Sequence, residues 1–218
     1  MRLFLSSYGL GNQPEKLLEL LGDNKQQQQR VAIVTNAGDY HSEPEIIERL
    51  TANVAMLQEL GLAAERLDLR DYFGKDSGEI RNKLRNYDLV WVCGGNSFIL
   101  RRAIAQSGFD EAITDLLAAD EIVYGGFSAG ACVVTPSLMG IDLCDDPEVV
   151  PEGYQEEVIW DGLGLVDYSI VPHYKSDHPE SAVLDETATF LEDRGMPFKT
   201  LRDGEVIVVD GESEELLG

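Results

Sequence analysis

The chain has 218 residues, 44% of them hydrophobic and 26% charged, the balance of a folded globular protein. Lys and Arg number 17 against 40 Asp and Glu, a formal net charge of −23. That excess disfavours nucleic-acid binding and polybasic membrane contact, and no apolar run nears the roughly 20 residues that span a bilayer.

In chain order, short apolar runs alternate with longer amphipathic stretches. Arg2–Ser6 reads as a strand and carries no secretory-type apolar stretch. Gln13–Leu21 reads as a helix and Asn24–Arg30, with its four glutamines, as a loop or frayed helix end. Val31–Thr35 is a β-branched strand. Ser42 followed by Glu45 has capping-box spacing and opens a helix to Leu60. Ala64–Leu69 reads as a strand, Ser77–Leu84 as a helix and Tyr87–Cys93 as a strand. Helices over Phe98–Gln106 and Phe109–Ala119 precede a strand at Glu121–Tyr124. After an acidic loop region come a strand at Tyr168–Val171, a helix at Pro179–Leu191 and a closing hairpin of Thr200–Arg202 with Val206–Asp210. This alternation predicts an α/β fold, a mostly parallel sheet covered on both faces, in one domain over residues 1–218.

Cys93, Cys132 and Cys144 show no CxxC spacing, and histidine occurs only at 41, 173 and 178. A disulfide framework and a thiolate zinc site are therefore not expected, nor is a metal or cofactor; a reducing, cytoplasmic compartment fits. Acidity is uneven: 19 acids and 13 bases up to residue 140, then 21 and 4. It reads either as a solvated surface or as a field that disfavours anionic substrates.

Three segments carry chemistry. Gly126-Phe127-Ser128-Ala129-Gly130 follows an apolar strand and precedes a helix start, the context of a nucleophile elbow. Small neighbours leave room for the turn, and the Ala129 N–H is a candidate oxyanion donor. Cys93-Gly94-Gly95-Asn96 ends another strand, so Gly95 or Asn96 is a candidate for the second donor. Pro172-His173-Tyr174 follows a third strand and offers His173 as general base. His178 reads as part of a helix cap, and His41 as a weak substrate-side candidate.

Taken together, Cys93-Gly-Gly-Asn-Ser-Phe, Gly126-Phe-Ser-Ala-Gly-Ala and Pro172-His-Tyr resemble peptidase family S51. The resemblance implies a flavodoxin-like, three-layer fold akin to class I glutamine amidotransferases, and a serine-type exopeptidase, a dipeptidase, acting on small peptides; the size of the chain is that of hydrolases that are often monomers or homodimers. It implies Ser128 as nucleophile, His173 as base, and Gly95 and Ala129 as oxyanion donors. The acid is open: Asp142, with Asp145 and Asp146 as rivals, or Asp203 in the Asp203-Gly204 turn. Aspartyl dipeptidases of that family carry an Arg soon after the histidine, whereas here the stretch to Phe190 holds only Lys175. Asp-X specificity is thus in question, and Asn96 and Lys175 stand as the substrate-side candidates. Alternatives are a non-catalytic small-ligand sensor on the same fold, and an amidase working through Cys132.

Overall fold

The computed structural model describes residues 1–22 and 28–218; positions 24–27 of the expected glutamine-rich loop lie outside them. Nine strands and seven helices are named here: β1 Arg2–Ser6, α1 Pro14–Leu21, β2 Arg30–Val34, α2 Glu43–Glu59, β3 Ala63–Arg66, α3 Ser77–Leu84, β4 Leu89–Val92, α4 Ser97–Ser107, α5 Phe109–Ala118, β5 Val123–Phe127, α6 Ala129–Cys132, β6 Ser169–Val171, α7 Ser181–Asp193, β7 Phe198–Thr200, β8 Val206–Asp210 and β9 Ser213–Leu217. The main sheet runs β3-β2-β4-β5-β1-β8-β9. The first five strands are parallel, and β8 joins antiparallel to β1. A separate parallel pair joins β6 and β7.

Side-chain alternation along each strand builds two cores, one per face. Phe4, Val31, Ile33, Leu89 and Trp91 pack with α1 and α2 through Leu17, Leu20 and Leu57. Leu3, Leu5, Ala32, Val34, Val90 and Val92 pack on the other face with α3, α4, α5 and α7. The result is the three-layer α/β arrangement expected. No helix among the described residues is long and apolar enough to cross a membrane.

Several boundaries differ from the sequence reading, each for a local reason. The third strand stops at Arg66, because Asp68 accepts the Arg70 N–H and turns the chain into a 3-10 segment. The fifth strand does not end at Tyr124 but continues through Gly125 and Gly126 to Phe127, paired on both sides by β1 and β4. Glycine is needed at 125 because a Cβ there would lie 2.6 Å from the Trp91 ring. The closing hairpin is β8 with β9; Phe198–Thr200 pairs instead with β6. That exchange hangs the 201–205 turn between the two sheets, beside the residues that follow β1 and β6.

Candidate functional site

A cavity of about 630 Å³ opens beyond the carboxyl ends of the parallel strands, where α/β sheets place their ligands. Ser128, immediately after β5, lines it with Gly94 and Gly95 after β4 and His173 after β6.

Ser128 adopts φ 51° and ψ −118°, a conformation costly to an L-residue. Its N–H donates to the Ser6 carbonyl at 3.2 Å, and its own carbonyl accepts from Ala131 and Cys132 at 2.9 Å. Glycines make the turn possible: a Cβ on Gly130 would come within 2.2 Å of the Val92 carbonyl oxygen, and one on Gly126 within 2.7 Å of the Gly130 carbonyl. Ala129 begins a four-residue helix, so its N–H has no intrahelical acceptor. Gly95, at φ 142°, packs so tightly on the Ala37 carbonyl that no side chain fits.

His173 is buried, with φ 55°. Its Nδ1 lies 2.7 Å from Oδ1 of Asp203. A carboxylate there holds the proton on Nδ1 and leaves the Nε2 lone pair free. Ser7 ties the pair to the end of β1: its hydroxyl donates to Asp203 at 2.7 Å and accepts the His173 backbone N–H at 2.7 Å. The Asp203 N–H donates to the Ser176 hydroxyl at 2.8 Å. Burial pulls the His173 pKa below its ordinary value and outweighs the opposing pull of Asp203. That direction favours the neutral imidazole that a general base requires. The Ser128 hydroxyl and the His173 ring are not hydrogen-bonded to each other, and such pairs commonly tighten only around substrate.

The other acids sit elsewhere. Asp142 is exposed and accepts the Gly140 N–H at 2.9 Å in a 3-10 turn. Asp145 accepts the Ser97 N–H at 2.8 Å, and burial pushes its carboxyl up to about 6. The Asp146 carbonyl accepts from the Asn96 amide at 2.9 Å. Both rivals thus brace the start of α4 rather than the imidazole.

Asn96 is spent on structure as well. Its Oδ1 caps α4 by accepting the Phe98 and Ile99 N–H groups, and it does not line the cavity. Lys175 is exposed, lies over the Tyr174 ring and is also outside the cavity lining. The Cys132 thiol points at the Ile170 carbonyl, and burial raises its pKa well above the ordinary value, the reverse of an activated thiol.

His178, read from sequence as part of a cap, stacks on His173 with ring centroids 3.6 Å apart and planes within 7°. Tyr8 stands beside both rings at 6.2 and 6.0 Å. One potential signal was the five-residue spacing of the two histidines around a turn, which sequence alone leaves without a direction. Ligand atoms of His173, His178 and Glu180 lie within 4.8 Å of one another. Parallel rings send their in-plane lone pairs side by side rather than to one point, so this is a poor tetrahedral metal set.

The family model for peptidase family S51 matches residues 3–217. An uncharacterized peptidase of Listeria monocytogenes is 34% identical over 132 residues, covering 61% of this chain and 60% of the relative. Peptidase E of Streptomyces coelicolor is 33% identical over 162 residues, 72% of this chain and 62% of the relative. The chain thus spans about 60% of the length of these curated relatives. A crystal structure described as a peptidase E protein from Listeria monocytogenes superposes with a TM-score of 0.77 at 27% identity, covering 99% of this chain and 97% of that one.

Proposed function

The chain belongs to peptidase family S51, and from that premise we propose that it is a serine-type exopeptidase, a dipeptidase, working through Ser128, His173 and Asp203. The observation that carries this reading is the 2.7 Å contact of Asp203 with a buried His173 in the cavity that also holds the strained Ser128.

In this mechanism the Ser128 Oγ attacks the scissile carbonyl carbon while His173 Nε2 takes its proton. The oxyanion accepts from the N–H groups of Gly95 and Ala129. Asp203 keeps the proton on Nδ1 and stabilises the imidazolium. The imidazolium then protonates the leaving amine, and the C–N bond breaks. Water, deprotonated by the same imidazole, hydrolyses the acyl-serine to release a carboxylate and restore the hydroxyl.

Lys175 lies outside the cavity lining, so the reading includes no Asp-X pocket built on it. The reading has residues 1–218 work as one domain in the cytoplasm, where Cys93, Cys132 and Cys144 remain thiols. A fluorophosphonate probe and a dipeptide assay test it together. The parent protein should label at Ser128, and Ser128→Ala should lose kcat by a factor on the order of 10⁶. Undiminished hydrolysis by Ser128→Ala would overturn the reading. A folded parent that resists labelling and cleaves nothing would favour the sensor alternative.

A further inference from the structure

Arg49 is the one Lys or Arg lining the cavity among the described residues; the acids Glu45, Glu48 and Glu180 line it too. It sits on α2 and not on the loop after His173. Most cations of this acidic chain are paired: Arg2, Arg30, Arg66, Arg70, Arg81, Arg85 and Arg101 each meet a carboxylate. Arg49 meets none among the described residues, although Glu45 stands at i−4, the position from which a helical glutamate ordinarily pairs with a cation.

One oxygen of Glu45 is already committed, and Arg49 acts on the carboxylate only as the weakest of its electrostatic influences, not as a hydrogen-bonded partner. The Glu45 Oε2 accepts the Ser42 backbone N–H at 2.9 Å and the Ser42 hydroxyl at 2.6 Å, closing the capping box of α2. Ser42 accordingly holds the Glu45 carboxyl below its usual range. Glu48 is adjacent in sequence and so projects about 100° away around the helix. Arg49 is exposed on the cavity wall, and its guanidinium makes no hydrogen bond or ion pair to a described residue. Its charge reaches neighbouring groups: the His41 pKa is lowered first by burial and then by Arg49.

We propose that Arg49 is a specificity-determining residue that grips the free α-carboxylate of a short peptide substrate. The proposal rests on the dipeptidase reading above. A guanidinium fork matches a carboxylate in bidentate geometry. The α-carboxylate is the one anion every dipeptide carries whatever its side chains, so a single cation in an otherwise acidic cavity accepts short free acids of varied sequence. Longer or amidated peptides lack that group at the same distance from the scissile bond. Arg49 would thus act as a length filter.

Calorimetry on Ser128→Ala, which binds without turnover, reads this directly. The probes are alanyl-alanine, its C-terminal amide, and an aspartyl dipeptide amide. Ser128→Ala should bind the free acid over the amide by about tenfold or more, the scale of one charge-assisted hydrogen-bonded contact. Adding Arg49→Gln should erase that preference, and Arg49→Lys should restore part of it. With Ser128 intact, Arg49→Gln should raise KM for the free acid while kcat holds. The proposal is overturned if the acid-over-amide preference survives Arg49→Gln, or if both ligands weaken equally. It is also overturned if only the aspartyl amide weakens, which would mean the gripped carboxylate is a side chain. If the parent neither turns over nor labels while the preference still tracks Arg49, the serine chemistry fails and the carboxylate site stands.

Discussion

His178 lies flat against His173, with ring centroids 3.6 Å apart, and covers one face of the imidazole. Burial chiefly lowers the pKa of the proposed base, while Asp203 holds its Nδ1 and opposes that shift.

The pH profile should report this arrangement. The His173 pKa lies below 6.5, so the acid limb of kcat/KM should fall below that pH. Replacing His178 with Ala removes the ring that shields His173 from water, so the limb should move to higher pH. His178→Phe keeps the stacked ring and should hold the limb low. An unmoved limb in His178→Ala would show that the stack does not tune the base. The same shift makes His173 a linked group for stability. With its folded pKa depressed, its contribution is complete above 6.5 and is lost as pH falls through 6.5 toward the folded value.

Asp203 and Asp142 can be separated by kinetics. Asp203→Asn should lower kcat by about 10⁴, since an amide cannot stabilise the imidazolium and favours the wrong tautomer. Asp142→Asn loses only a turn contact to the Gly140 N–H and should hydrolyse peptides at the parent rate. The reverse result would move the acid to the loop after Ser128.

The elbow should be intolerant of one methyl group. A Cβ at Gly130 meets the Val92 carbonyl, which is backbone in the middle of the sheet and cannot step aside. Gly130→Ala should cost about 1–3 kcal/mol or more, read as a lower denaturation midpoint at unchanged m-value. A midpoint equal to the parent's would mean that β4 and the elbow are looser than this packing implies.

The sequence alone determined the layered α/β plan, the elbow at Gly126–Gly130 and the capping box of α2. Each of these rests on local rules: alternation along a strand, periodicity along a helix, and small residues at a tight turn. It located Ser128 and His173 at strand ends, because apolar strands announce where they stop. It left Asp142 and Asp203 equal, because both are single acids in turns and nothing local distinguishes them. Only the tertiary structure decided between them in position, by pairing β7 with β6 and so carrying the 201–205 turn to the histidine. It likewise withdrew Asn96 and Lys175 from the cavity and brought in His178 and Arg49. Arg49 had one faint local sign, a Glu four residues earlier that the capping box had already claimed. The physical reason is that a side chain's direction and partners depend on which elements pack together; the Asp203–His173 contact joins positions 30 apart, which no local pattern encodes.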